Sequence, residues 1–181
     1  RKQELTEKQF LKKEWEFYQK QIQHPARLLT SSMGRFLDGL ASILGICQFN
    51  SYEGEAAMKL EAFASNYRHH SFEYYPIPIL NNRLQHDLML SHLFEDLDNK
   101  KDISLIAWKI FCSLTKAIEN ISLRFGIRKI AFSGGVFQNE LLTDLISKSL
   151  GKKNELYFHQ QLSPNDECIG FGQIACYEIA R

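Results

Sequence analysis

The chain has 181 residues, enough for one domain with its own apolar core, and a formal net charge of +1. That balance leaves no basic footprint for a nucleic acid and no polybasic patch for an anionic membrane. No apolar run approaches the roughly 18 residues of a membrane span, and the polar opening Arg1-Lys2-Gln3-Glu4 lacks the apolar stretch of a secretory signal. The four cysteines, Cys47, Cys112, Cys168 and Cys176, form no Cys-x-x-Cys pair, so free thiols in a reducing cytoplasm are expected.

Residues 4–23 read as a charged helix with Leu5, Phe10, Leu11, Trp15, Phe17, Tyr18 and Ile22 on an apolar stripe, ended by Pro25. Thr30, Ser31 or Ser32 then caps a second helix that runs to about residue 45, with Gly45 as its stop. A third helix is predicted from Glu53 to Phe63. Residues 72–79 alternate like a strand, but Pro76 and Pro78 confine it to an edge or an extended loop. Helices over about 84–97 and 103–125 follow, the second capped by Asp102 and ended by Gly126. The remainder reads strand 128–133, helix 137–149, strand 155–158 and helix 166–180. This β-α-β-α order predicts two parallel strands with a right-handed crossover. Two such strands make a poor sheet alone, so further strands are expected from upstream, or one edge from 72–79. The chain does not open on methionine and reads as a piece of a longer protein. Its expected division is a mainly helical portion, 1–126, and a β-α-β-α portion, 127–181.

Residues 130–139, Ile-Ala-Phe-Ser-Gly-Gly-Val-Phe-Gln-Asn, join a short strand to a helix through a Gly-Gly turn. Free N–H groups at a helix start attract anions, and glycine lets a ligand approach the backbone. Gly134, Gly135 and Asn139 are therefore candidate nucleotide contacts, although many such junctions only turn the chain. Gly34, within Thr30-Ser31-Ser32-Met33-Gly34-Arg35-Phe36-Leu37-Asp38, suits either close ligand approach or helix packing. Glu53 and Glu55 fit the acid-rich start of a helix better than a general acid/base pair. Asp166 sits where a strand hands over to a helix, a place for a metal-binding carboxylate or for a helix cap. His159 ends the second strand near Asp166, a place for a ligand contact or, more simply, for a polar strand-end residue. No two of the six histidines are four apart, so no helical histidine metal pair is present.

Four of these segments together resemble the HypF-type carbamoyltransferases of hydrogenase maturation. The runs are Thr-Ser-Ser-x-Gly-Arg-x-x-Asp at 30–38, Tyr-Glu-Gly-x-Ala-Ala at 52–57, Ser-Gly-Gly-Val-Phe-Gln-Asn at 133–139 and Pro-Asn-Asp at 164–166. The resemblance covers about residues 24–178. It implies an α/β fold, the C-terminal lobe of an actin-like ATPase of the RNase H-like (ASKHA) class with a large helical portion, akin to the enzymes that make threonylcarbamoyl-adenosine in tRNA. It implies passage of a carbamoyl group from carbamoyl-adenylate to the C-terminal cysteine of a HypE-like partner in nickel–iron hydrogenase maturation. Gly34, Gly134, Gly135 and Asn139 would then hold the ATP-derived adenylate, and Asp166 would bind a divalent metal whose other ligands lie upstream. The partners implied are the HypE-like acceptor and the upstream lobe of the same polypeptide, with no nucleic acid and no membrane. The lobe alone is expected to be inactive, and its open apolar face invites self-association. One departure stands out: Glu167-Cys168 follow Asp166 where the family has Gly-Gly. That departure keeps open a non-catalytic, partner-binding relative of the same fold. A related ATP-binding, kinase-like lobe is the third reading.

Overall fold

The cap residues decide where the helices begin and end. In the computed structural model, which describes residues 10–23, 30–68 and 71–181, the helices before the sheet are α1 (Lys12–Gln23), α2 (Met33–Ile43) and α3 (Glu55–Ser65). A hairpin of β1 (Ile79–Leu80) and β2 (Arg83–Leu84) leads to α4 (Asp87–Asp98) and α5 (Ile103–Phe125). The last third is β3 (Lys129–Ala131), a 3₁₀ turn (Gly135–Gln138), α6 (Glu140–Leu150), β4 (Glu155–Tyr157), a second 3₁₀ turn (Asp166–Cys168) and α7 (Ile169–Ile179). Leu5, Pro25, His24, His69 and His70 lie outside the described residues.

Ser32 opens α2 by accepting the Arg35 N–H at 3.4 Å, and Asp102 opens α5 by accepting the Ser104 N–H at 3.0 Å. Gly45 (φ 73°) and Gly126 (φ 63°) close those helices in the left-handed conformation. Helix α3 starts two residues later than predicted. Gly54 turns left-handed (φ 83°), and Asn50 Oδ1 takes the Ala56 N–H at 3.1 Å. Glu55 does more than complement a helix dipole. Its Oε2 accepts the Ser51 N–H at 2.5 Å and the Ser51 hydroxyl at 2.7 Å, while Oε1 pairs with Lys59 at 2.6 Å. The bond from Lys59, then those from Ser51, hold this carboxyl at about 2, below the usual carboxylate range.

Helix α5 is the spine. Ile106, Ala107, Ile110, Phe111, Cys112, Leu114 and Ala117 are buried along it, since α3, α4 and α6 pack around it. Ala56, Leu60 and Ala64 come from α3, Met89 and Leu93 from α4, and Leu142, Leu145 and Ile146 from α6. One apolar cluster thus runs from the helices before β3 to Phe132, Leu142, Leu145 and Ile146 after it. Each large side chain buried in it is worth about 1.5–3 kcal/mol of transfer free energy.

The segment predicted as a strand at 72–79 stays extended but pairs with no sheet until β1, which closes antiparallel on β2 through Asn81 and Asn82, both at positive φ. Pro76 and Pro78 have no N–H to give a ladder. The Tyr75 N–H goes instead to Ser113 Oγ on α5 at 2.8 Å, so this segment lies on the spine and supplies no edge to the sheet. The sheet itself is the expected parallel pair, Lys129↔Glu155, Ile130↔Leu156 and Ala131↔Tyr157. Among the described residues, no helix is long and apolar enough to cross a membrane.

Candidate functional site

The carboxyl ends of β3 and β4 gather most of the candidate residues. Phe132 N–H donates to Tyr157 O at 2.9 Å, extending the pairing one residue past the strands. Phe132 stacks on Phe158 (4.7 Å, 12°) and meets the edge of Phe137 at 5.1 Å. These rings fix the register at the sheet's mouth. The chain then turns through Gly134 at φ 114° and ψ 150°, a conformation open essentially to glycine. The Gly134 N–H donates to Pro164 O at 2.7 Å, and Gln138 Nε2 donates to Ser163 Oγ at 3.1 Å. Two segments 30 residues apart in sequence, Ser133–Asn139 and Ser163–Asp166, are thereby tied into one rim. A Cβ added to Gly135 would stand 3.8 Å from Asn165 Cβ, an ordinary contact.

The helix start beside the turn differs from the expectation. The predicted helix from 137 is a 3₁₀ turn to Gln138 followed by α6 from Glu140, and its first amides are occupied. Asn139 Oδ1 takes the Leu142 N–H at 2.8 Å, and Glu61 Oε1 from α3 takes the Leu141 N–H at 2.9 Å. A carboxylate at this N-terminus satisfies the dipole and opposes a second anion. Asn139, 8% exposed, is the N-cap residue of α6. Asn139→Ala is therefore expected to cost about 1 kcal/mol of stability, a fall of a few degrees in the melting midpoint. An unchanged midpoint would contradict the capping role.

Gly34 lies in the first turn of α2, the helix that touches the 3₁₀ turn at 135–138. It is exposed, and among the described residues outside its own helix backbone and chain neighbours an added Cβ would meet only Ser32 Oγ, at 3.8 Å. Close helix packing therefore does not explain this glycine. Asp166 is exposed and is not a cap, because Asn165 Oδ1 accepts the Glu167 N–H at 3.1 Å and fills that role. Among the described residues, no hydrogen bond or ion pair engages the Asp166 carboxylate. No three His, Cys, Asp or Glu side chains among the described residues form a metal-binding group. Glu53 is exposed. The open groove lined by Phe72, Trp108, Leu145 and Lys148 contains none of the candidate residues.

Sequence reasoning left three contacts unseen: Glu61 on the α6 amide, Gln138 with Ser163, and His159 Nε2 at 3.1 Å from Ser133 Oγ. The last was available in principle. Continuing the parallel register two residues beyond Ala131↔Tyr157 places Ser133 beside His159.

A mainly helical lobe with a small parallel sheet, glycine-turned at its carboxyl edge, is Kae1-like in class. The family profile described as "Carbamoyltransferase, Kae1-like Domain, second subdomain" matches residues 1–173. The carbamoyltransferase HypF of Synechocystis is 34% identical over 157 residues, which is 84% of this chain and 20% of that protein. The probable carbamoyltransferase HypF of Methanocaldococcus jannaschii is 32% identical over 154 residues, 82% of this chain and 20% of that protein. A crystal structure of full-length HypF in a phosphate- and nucleotide-bound form superposes with a TM-score of 0.80 at 31% identity, covering 92% of this chain and 27% of that one. HypF of T. kodakarensis gives 0.76 at 26% identity, covering 88% of this chain and 22% of that one. The chain belongs to the HypF-type carbamoyltransferase family, and it spans about a fifth of the length of the relatives it matches.

Proposed function

We propose that this chain is the nucleotide-facing second lobe of a carbamoyltransferase of the actin-like (ASKHA) class. The whole enzyme would work in the cytoplasm and pass a carbamoyl group from carbamoyl-adenylate to the C-terminal cysteine of a HypE-like protein during nickel–iron hydrogenase maturation. The observation that carries this reading is the Gly134 turn. Its glycine-only backbone and its bond to Pro164 hold both family motifs on one open rim at the ends of parallel strands, where α/β sheets bind ligands. In the reading, Gly34, Gly134 and Gly135 let the adenylate approach the backbone, and the Asn139 amide borders it. The acceptor thiolate attacks the carbamoyl carbon, the C–S bond forms, and AMP leaves with the electrons of the broken C–O bond. A divalent metal held partly by Asp166 would offset the charge on the leaving phosphate.

The upstream lobe of the same polypeptide is the partner this reading requires. Helix α7 supports it: none of its residues is buried, and Ile169, Phe171, Ile174 and Tyr177 are each more than half exposed. An apolar surface of this kind marks an interaction face, and we assign it to that lobe.

The test is transfer by the whole polypeptide that carries this chain, supplied with carbamoyl-adenylate and a peptide ending in cysteine. Mass spectrometry is expected to find the carbamoyl group on the thiol. ATP binding without transfer would instead support a non-catalytic, partner-binding relative, the reading that Glu167-Cys168 after Asp166 favours.

A further inference from the structure

Ser133 and His159 end the two parallel strands as cross-strand neighbours. Ser133 is exposed, His159 is half-buried, and Nε2 lies 3.1 Å from Oγ. The stacked Phe132 and Phe158 directly before them hold the two backbones in register. His159 has no other hydrogen bond among the described residues. Sheet pairing does not need this contact, because the main-chain ladder has already ended at Phe132. The core does not need it either, since both side chains stand outside the apolar cluster.

We propose that His159 is a positioning residue for Ser133, and that Ser133 contacts an oxygen of the bound nucleotide; this rests on the nucleotide reading above. A hydroxyl rotates freely and offers its proton in any direction. With the imidazole proton on Nε2, His159 donates to Oγ and occupies one of its lone pairs. The Ser133 O–H is then directed away from the ring, next to the Gly134 turn, as a donor to an acceptor-only group such as a phosphate oxygen. His159 acts through Ser133, and the pair works as one unit.

The experiment is a double-mutant cycle read by ATP titration in the whole polypeptide, with melting recorded for every variant. Ser133→Ala and His159→Ala are each expected to weaken ATP binding by roughly ten-fold, the effect of one hydrogen bond to a charged group. The double variant is expected to be no worse than either single one. His159→Gln, whose amide nitrogen can donate from a similar position, is expected to restore affinity to within about two-fold. Melting midpoints are expected to stay together. Unchanged affinity in His159→Ala, or losses that multiply in the double variant, would overturn the pairing while leaving nucleotide binding intact. Failure of the unaltered polypeptide to bind ATP would overturn both readings.

Discussion

Asp96→Ala is expected to cost about 3–5 kcal/mol of folding stability, a fall of roughly 10 °C in the melting midpoint. Asp96 is buried and accepts from three donors: Lys109 Nζ at 2.5 Å, the Tyr75 hydroxyl at 2.8 Å and Lys101 Nζ at 2.9 Å. Lys109 is itself buried, 4.1 Å from the centre of the Tyr75 ring. Removing the carboxylate strands an ammonium in the interior and frees the Tyr75 segment from α5. Lys101 is 44% exposed, so Lys101→Ala is expected to cost less than about 1 kcal/mol. Burial alone would push the Asp96 carboxyl up. The bonds from Lys101, Lys109 and Tyr75 outweigh it and hold the group at about 2, against an ordinary 3.8. A carboxyl depressed in the folded state contributes stability that is fully present above the ordinary value and is lost as pH falls through about 2. Acid titration of melting should therefore separate the wild type from Asp96→Ala most widely above pH 4 and narrow the gap as pH falls towards 2. Equal stability at neutral pH would mean that the network does not clamp the segment.

The second large effect concerns two glycines with opposite structural consequences. At Gly134, with φ 114° and ψ 150°, alanine meets no neighbour within 4 Å among the described residues, so its cost is backbone strain of about 1–3 kcal/mol. Relieving that strain means turning φ negative, which swings the N–H away from Pro164 O and parts the two halves of the rim. Gly134→Ala is therefore expected to lose stability and to weaken ATP binding at least ten-fold. At Gly34, in the first turn of α2, alanine has room and a better helix propensity, by up to about 1 kcal/mol in a helix interior. Gly34→Ala is expected to leave melting unchanged or raised. If a nucleotide approaches this backbone, the same added methyl weakens binding. A substitution that stabilises the fold and impairs the ligand marks a residue kept for function.

Most of the helical architecture was legible because its signals are local. Asp102 and Gly126 bound α5 where the cap chemistry requires, and the apolar spacing of Ile103 to Ile121 located the spine. The parallel pair followed from the β-α-β order. Elements whose outcome depends on distant partners were not legible. The alternation at 72–79 resembles a strand, yet Tyr75 spends its N–H on Ser113 and its hydroxyl on Asp96, both far away in sequence. Residues 133–139 do carry the glycine turn, but the helix start was misjudged by three residues, and Glu61, some 80 residues earlier, occupies the amide an anion would need. Asp166 and Asn165 compete for one capping role, and composition does not say which fills it. The four motifs were legible as a set because together they resemble one family, whereas any one of them alone fits an ordinary turn or cap.

The most direct measurement is ATP titration of the whole polypeptide with and without Gly34→Ala, alongside its melting curve. A nucleotide site shared by this rim and the start of α2 predicts affinity reduced about ten-fold or more with the melting midpoint unchanged or higher. Affinity equal to the wild type in a protein that melts normally would contradict it.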